Sequence, residues 1–329
     1  MKYNRLVIVL VLFAVFLLPA CKPKGPTVEV TTPFIGGANG LLASFIEGAP
    51  PEYIFDNGNY PFGISVKLEN VGEDAVEVTD AYVEIQGINP IDFGKASQAD
   101  LKRNLPNRLE AARKNFDGTI LPGGQTVVEF GELRYLPDLH GNTQVKIRAD
   151  VCYNYRTQTS TKVCIKGDLL RDVEGGDICK VAEEKQPQNS GGPIHVTKLR
   201  EAPIGTGKIQ LTFEIAHVGD PNDAFFNVES PECDPSIANP DRNMVFITVV
   251  SDVNGRIPKC EGLQEASEDS SSGFVTLFEG APRIVTCSID ISGIESTFED
   301  LFEVDLEYKY MQSIEKQMLI RDVSTGESS

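Results

Sequence analysis

Two stretches of the chain, DVCYNYRTQTSTKVCI at residues 150–165 and DLEYKYMQSIEKQMLI at residues 305–320, carry the same pattern. At a shift of 155 positions, from 150 to 305, four residues coincide: Asp150, Tyr153, Tyr155 and Ile165 fall on Asp305, Tyr308, Tyr310 and Ile320. In both stretches apolar residues recur at every second position over several residues, which is typical of β-strands. The match indicates that one β unit occurs twice along the chain.

Weaker matches in the same order support this repeat. They are KLENVG (67–72) with EIAHVG (214–219), Ala49-Pro50 with Ala202-Pro203, and TILPGGQTVV (119–128) with VTLFEGAPRIV (275–285). Each could arise by chance among alternating strands. Because they keep one order along the chain, we favour a tandem duplication of one β fold.

Short alternating segments rich in Val, Ile, Phe and Tyr, such as FGISVKLEN (62–70), recur between turn residues. This spacing predicts an all-β fold made of two tandem immunoglobulin-like β-sandwich domains. The polar segment AEEKQPQNSGG (182–192) predicts a linker between them. Domain 1 is therefore expected at residues 34–181 and domain 2 at 193–325, followed by a disordered tail at 326–329.

One segment departs from the β pattern. Asn107 can cap the run NRLEAARKNF, and Glu110 follows three residues later, as in a capping box. Gly118 then provides a plausible helix stop. The sequence therefore predicts one short helix near residues 108–115, inside domain 1.

The beginning of the chain has the organisation of an export leader. A basic start and an unbroken apolar run (6–18) precede LPAC (18–21), which resembles a lipobox, where a cysteine becomes lipid-modified. We expect residues 1–20 to be a signal peptide, Cys21 to be the lipidation site and residues 21–33 to form an extended tether. A simply cleaved leader and a retained anchor are the alternatives.

The cysteine count agrees with export. The chain has seven cysteines, so six remain to pair if Cys21 carries lipid, as expected in an oxidising compartment. If the chain turns near Gln158, Cys152 and Cys164 lie opposite each other on the solvent face of a hairpin, and we predict a disulfide between them. The remaining four cysteines suggest the pairs Cys260–Cys287, which flank a polar loop, and Cys179–Cys233, although the sequence leaves other pairings open.

The tyrosines of the repeat predict a core. Side chains alternate between the two faces of a strand, so Tyr153 and Tyr155 share the face of Val151. The same holds for Tyr308 and Tyr310 in the second copy. We therefore expect all four rings to be buried rather than to form an exposed carbohydrate platform.

Charge and motifs argue against several kinds of function. Asp and Glu outnumber Lys and Arg by 48 to 30, which disfavours nucleic acid as a partner. His140, His195 and His217 are not spaced like metal ligands. The chain has no G-x-S-x-G motif, and GGANG (36–40) is not followed by the Gly-Lys-Ser/Thr of a P-loop. We expect no enzymatic activity, no catalytic residues, no metal and no cofactor.

Two glycine motifs carry a family resemblance. Asn70-Val71-Gly72 follows an alternating strand and Pro122-Gly123-Gly124 precedes the next, which resembles the immunoglobulin-like adhesion modules called CARDB-like. His217-Val218-Gly219 would be a second, degraded copy, and the segment 40–72 is similar to the opening of archaeal surface proteins. The resemblance implies β-sandwich modules of microbial surface lipoproteins, without catalytic residues, in which Asn70 and Gly72 form a turn.

These observations favour a membrane-anchored extracytoplasmic lipoprotein that acts as a binding or adhesion module at the cell surface. Its expected partner is a protein or an envelope polymer, and it would contact the membrane through the N-terminal anchor. A structural subunit that polymerises is the main alternative, with residues 26–47 added as a strand to the sheet edge of a neighbour. An extracytoplasmic hydrolase is the other alternative.

Overall fold

The alternating segments form β-strands in the computed structural model, which describes residues 32–169 and 178–323. The strands are β1 (Leu41–Phe45), β2 (Tyr53–Phe55), β3 (Phe62–Asn70), β4 (Ala81–Gln86), β5 (Lys102–Asn104), β6 (Arg113–Lys114), β7 (Ile120–Leu121), β8 (Gln125–Leu133), β9 (Thr143–Lys166), β10 (Glu183–Glu184), β11 (Gln188–Asn189), β12 (Ile194–Ile204), β13 (Lys208–His217), β14 (Ala224–Phe226), β15 (Met244–Ser251), β16 (Lys259–Glu261), β17 (Ser272–Thr276), β18 (Arg283–Asp290) and β19 (Thr297–Arg321). Short 3-10 helices lie at Val78–Asp80, Ile91–Phe93, Gln98–Leu101, Val253–Gly255 and Phe278–Gly280. The signal peptide (1–20), Cys21 and the tail (326–329) lie outside the described residues.

The two stretches that carry the repeat are paired with each other. β9 and β19 run antiparallel along their whole length, and Gln158 lies opposite Asp305 in the middle of this ladder. The predicted hairpin turn at Gln158 is therefore wrong. Thr157, Thr159 and Thr161 continue the buried face of β9, and β-branched residues fit a long extended strand well.

The strands assemble into two smaller sheets and one large one, apart from β6 and β7, which pair with each other. The smaller sheets have the orders β1-β3-β8 and β10-β12-β13-β18-β16, and the nine-stranded sheet has the central order β17-β15-β19-β9-β4-β5. Both smaller sheets pack on the same face of the large sheet, because Leu41 of the first donates its N–H to Tyr153 and Phe213 of the second packs on Phe302. The all-β prediction is confirmed.

The two halves of the chain have matching strand orders. We call residues 41–166 the first half and residues 194–321 the second half. In the first half the order β1-β3-β8 faces β9-β4-β5, and in the second half β12-β13-β18 faces β19-β15-β17. Asn154 pairs with Lys309, which is its own equivalent at the shift of 155, since 154 plus 155 is 309. An approximate two-fold axis therefore passes through this pair.

The halves are not separate domains, so the predicted boundary at 182–192 is wrong. The described residues from Pro33 onward form one compact unit. Within the predicted linker, β10 pairs with β12 and β11 pairs with β9. Ser190 in the same segment is buried and its N–H donates to the carbonyl of Gln158. The linker was predicted from the polarity of the segment. Its backbone groups instead form hydrogen bonds with the neighbouring strands, as buried backbone groups require.

The helix predicted near residues 108–115 is also wrong. Leu109 is buried and exchanges two backbone hydrogen bonds with Val76, while β6 pairs with β7. The N–H of Ala112 donates to the carbonyl of Gly72. Burying Leu109 in an extended segment outweighs the capping signals around it, since helix propensity is a weak local preference.

Two of the three predicted disulfides are wrong and one is confirmed. Cys260 pairs with Cys287 as predicted. The predicted Cys152–Cys164 and Cys179–Cys233 bonds are replaced by Cys152–Cys233 and Cys164–Cys179. Because β9 does not turn back on itself, Cys152 and Cys164 lie far apart along one strand. Cys152 does point away from the main core, but it is buried in a second, smaller cluster with Phe226 and Met311.

The four repeat tyrosines are buried, as predicted, and meet at the two-fold axis. Tyr153 lies opposite Tyr310 with ring centroids 5.8 Å apart, and Tyr155 lies opposite Tyr308 at 6.3 Å. Each hydroxyl has a partner, as burial requires: the Tyr308 hydroxyl, for example, shares a hydrogen bond with Thr157 at 2.7 Å. The cluster fills the junction between the two halves.

A buried carboxylate accepts a backbone N–H of β9 near the C-terminal end of that strand, on the side that faces away from β19. Glu201 accepts the backbone N–H of Cys164 at 2.9 Å and contacts the ammonium of Lys185 at 3.1 Å. Burial raises the pKa of Glu201 to about 7, although the Cys164 N–H and Lys185 oppose this shift. The folded chain therefore retains a proton at Glu201 at pH values where the unfolded chain, with its ordinary pKa of 4.5, has lost it.

This shift predicts a pH-dependent stability. Between about pH 4.5 and pH 7 the folded state binds more protons than the unfolded state, so the free energy of unfolding should fall as the pH rises, by about 3 kcal/mol for Glu201. Glu201→Gln should flatten this part of the profile, since an amide does not titrate. Urea unfolding of both proteins at pH 4.5 and pH 7.5 measures it. Parallel pH profiles would contradict the prediction.

Candidate functional site

A cavity of about 530 Å³ opens at one end of the second half. It begins where β13 ends, at His217, and includes Asp223 from the loop that leads into β14. Its opposite wall comes from the segment before β15 and from the turn after β17. We call it the His217 cavity; its further lining includes Pro221, Phe225, Ile237, Pro240, Arg242, Asn243, Thr276, Phe278 and Glu279.

A chain of hydrogen bonds forms the floor of the His217 cavity. The hydroxyl of Tyr310, from the central tyrosine cluster, donates to Oδ2 of Asp223 at 3.0 Å. The same hydroxyl oxygen lies 2.9 Å from Nε2 of His217. Since the hydroxyl proton is directed to the carboxylate, Nε2 of His217 must donate its own proton to the Tyr310 oxygen. The neutral imidazole then presents Nδ1 as an acceptor.

The electrostatics agree with this proton arrangement. Burial lowers the pKa of His217, so the imidazole is neutral near pH 7. Burial also raises the pKa of Asp223 to about 6, which still leaves the carboxylate ionised at pH 7. Burial, together with the neighbouring Asp223, raises the pKa of Tyr310, so its hydroxyl remains a donor. The floor therefore combines one negative charge with one free lone pair.

The glycine of the His-Val-Gly motif permits this arrangement. A Cβ atom at Gly219 would lie 2.6 Å from the Tyr310 hydroxyl and 3.1 Å from Nε2 of His217. Its counterpart Gly72 packs in the same way on the hydroxyl of Tyr155. The predicted turn role fits Asn70, whose Oδ1 accepts the Gly72 N–H at 3.2 Å. Gly72 and Gly219 are needed for close approach to a tyrosine.

The rim of the His217 cavity is apolar and accessible. Phe278 is 66% exposed and Ile237 is 92% exposed. Large exposed apolar side chains at the mouth of a cavity are typical of binding sites, because a ligand that covers them removes apolar surface from water. The segment that carries Ile237 is held by the Cys152–Cys233 disulfide, so this wall is attached to the sheet below it.

A second depression, of about 260 Å³, lies on the outer face of the large sheet near the two-fold axis. Asp80, Glu307 and Arg156 are among its lining residues, and Arg156 is already paired with Asp74 at 3.4 Å. It is wide and mostly polar. We favour the His217 cavity as the binding site because an apolar wall contributes more to affinity than exposed charge pairs.

The repeat pattern placed Tyr310 in a strand, but it did not reveal the site that Tyr310 forms with His217 and Asp223. Asp220 and Asp223 lie in the loop between β13 and β14, where Oδ1 of Asp220 accepts the Asn222 N–H at 2.9 Å. Asp223 additionally reaches Tyr310, which lies 87 positions away in sequence. The one available signal was that His217 replaces Asn70 in the repeat.

Comparison with models of known protein families and with curated proteins gives no match to this chain. Within residues 32–169 and 178–323, no three His, Cys, Asp or Glu side chains gather in a metal-binding arrangement. None of the helical segments in the described part of the chain has the length and apolarity to cross a bilayer. The three disulfides indicate an oxidising, extracytoplasmic environment.

Proposed function

We propose that the chain is a membrane-anchored extracytoplasmic lipoprotein whose two immunoglobulin-like halves form a surface binding module of the CARDB-like kind. The His217 cavity is its ligand site. The observation that carries this proposal is the combination, in one cavity of about 530 Å³, of an apolar rim and a floor of convergent polar groups. Ligand sites in proteins have this composition.

The disulfides support an external location for such a module. The bond from Cys152 to Cys233 holds one wall of the His217 cavity, and the bond from Cys260 to Cys287 joins β16 to β18. A rigid, covalently braced site loses little conformational entropy when a ligand binds. The LPAC segment at 18–21 would supply the anchor that keeps the module at the membrane.

The two alternative functions fit the geometry less well. Residues Leu41–Phe45, at the end of the segment proposed for strand exchange, pair with β3 of their own chain. One hydrolase mechanism in the His217 cavity would use Tyr310 as its nucleophile. Burial and Asp223 raise the pKa of that hydroxyl, so the phenolate that attacks would be scarce.

Site-specific photo-crosslinking on intact cells tests the proposal. A photoreactive residue at position 278, on the rim, should give one discrete adduct. The same residue at Ile257, which is 52% exposed and lies outside the His217 cavity, should not. Cys21→Ser should move the chain from the membrane fraction to the soluble fraction. No adduct at position 278, or equal adducts at both positions, would reject the binding site.

A further inference from the structure

The outer face of the large sheet holds a buried lysine that has no partner. Lys309, in β19, is 9% exposed, although lysine is rarely buried unless it is paired. Within the described residues its ammonium group forms no hydrogen bond and no ion pair. Lys102 on the same face, by contrast, is paired with Glu232 at 3.0 Å. The burial of Lys309 without a counter-charge therefore needs a separate explanation.

The residue directly opposite Lys309 is Asn154, the other member of the pair through which the two-fold axis passes. Opposed residues of an antiparallel ladder share one face of the sheet, and their Cβ atoms are about 4.5–5.5 Å apart. The four-carbon stem of a lysine can cover this distance. Oδ1 of Asn154 is buried and accepts no hydrogen bond from any described residue. An amine and an amide carbonyl, each without a partner, are thus neighbours.

A carboxyl group lies beside this pair. Asp80 immediately precedes Ala81, which pairs with Tyr153, so Asp80 is next to Asn154 on the side of β9 that faces away from β19. Asp80 and Asn154 line the same depression of about 260 Å³. Asp80 also acts electrostatically on the ammonium group of Lys309. An amine, an amide and a carboxyl group therefore meet at one place on the outer face.

The surroundings of Lys309 favour its nucleophilic form. Burial lowers the pKa of Lys309, and the positive charge of Lys102 acts in the same direction. The negative charges of Asp80 and Glu232 oppose this shift without cancelling it. A larger fraction of the Lys309 amine is therefore neutral than at an exposed lysine, and the neutral amine is the form that attacks a carbonyl carbon.

We propose that Lys309 and Asn154 become joined by an amide bond between their side chains. Nζ of the neutral Lys309 bonds to Cγ of Asn154, the bond from Cγ to Nδ2 breaks, and Nδ2 leaves as ammonia. One proton passes from Nζ to Nδ2, and the carboxyl group of Asp80 carries it. The reaction consumes no oxidant, reductant or other reactant, since an amide and an amine give a new amide and ammonia.

This bond would link the two halves of the chain covalently at the centre of their longest ladder. The three disulfides connect other elements: β9 to the segment after β14, β9 to Cys179, and β16 to β18. An amide bond between β9 and β19 would also withstand reducing agents, which disulfides do not. The proposal does not depend on the His217 cavity or on its ligand.

Mass spectrometry of a tryptic digest of the full chain, with its disulfides reduced, tests the proposal. Residues 149–156, which contain Asn154, should be joined to residues 284–316, because trypsin does not cleave after an acylated lysine. The joined species should be lighter than the two peptides together by one ammonia molecule. Free peptide 149–156 from the unchanged chain would overturn the proposal. Loss of water instead of ammonia would also overturn it, since it would place the bond at a carboxyl group.

Variants separate the roles of the three side chains. Lys309→Met, which keeps a long buried side chain but removes the amine, should release peptide 149–156 in free form. Lys162→Met is the matched control, because Lys162 lies in the same ladder with its ammonium paired to Glu299 at 2.9 Å, and it should keep the joined peptides. Asp80→Ala should lower the joined fraction at least about tenfold. Joined peptides that persist in Lys309→Met would refute the assignment of the nucleophile, and an unchanged fraction in Asp80→Ala would refute the role of Asp80.

Discussion

Replacing Cys152 and Cys233 by alanine should lower the free energy of unfolding by about 4 kcal/mol, the largest effect we expect from any disulfide of this chain. The bond joins residues separated by 81 positions, whereas Cys164 and Cys179 are separated by 15. A cross-link that closes a longer loop removes more conformational entropy from the unfolded chain. The shorter loop should contribute about 3 kcal/mol.

The Cys152–Cys233 bond also connects stability to the binding site. It fastens the segment that follows β14 to the outer face of the large sheet, over Phe226 and Met311. The same segment continues to Ile237 and forms a wall of the His217 cavity. We therefore expect the double alanine variant to lose the crosslink from position 278 as well as stability.

Urea unfolding of the Cys152→Ala/Cys233→Ala and Cys164→Ala/Cys179→Ala variants measures how much each disulfide contributes to the free energy of unfolding. A peptide map under non-reducing conditions should link Cys152 to Cys233 and Cys164 to Cys179. A map that links Cys152 to Cys164 would restore the hairpin and refute the long central strand.

Local patterns predicted those parts of the fold that depend on neighbouring residues. Alternation placed Tyr153 and Tyr308 in the core, because the side-chain period of a strand is set within a few residues. The repeat predicted the duplicated strand order for a similar reason, since two copies of one sequence pattern make the same contacts. Cys260 and Cys287 were paired correctly because both flank one loop.

Pairing between strands that are distant in the sequence determined those features of the fold that local patterns predicted wrongly. The residues around Gln158 are compatible with either a turn or a strand. They form a strand because they pair with β19, which is distant in the sequence. Cys233 reaches Cys152 only because β14 joins the large sheet beside Met311. The His217 cavity depends on the same kind of information: Asp223, His217 and Tyr310 meet through tertiary packing, and their spacing matches no motif.

Gly72→Ala should lower the free energy of unfolding by about 3 kcal/mol, because an added methyl group overpacks the tyrosine cluster. A Cβ atom at Gly72 would overlap the Tyr155 hydroxyl and would lie 2.7 Å from the carbonyl oxygen of Gly191. Tyr155 cannot move aside, since it is buried and its hydroxyl donates to that carbonyl at 3.1 Å.

The matched control is Gly131→Ala, in β8, where an added Cβ meets no atom within 4 Å and stability should be almost unchanged. Tyr155→Phe removes the overlapping hydroxyl but leaves the Gly191 carbonyl without that donor, so alone it should cost about 1 kcal/mol. Combined with Gly72→Ala it should cost less than the sum of the two single changes, because the clash is relieved. Urea unfolding of the unchanged chain, the two single variants and the double variant measures the coupling between Gly72 and Tyr155, and Gly131→Ala is unfolded beside them. Additive costs, or a Gly72→Ala protein as stable as Gly131→Ala, would show that close approach to the tyrosine is not why glycine follows Val71.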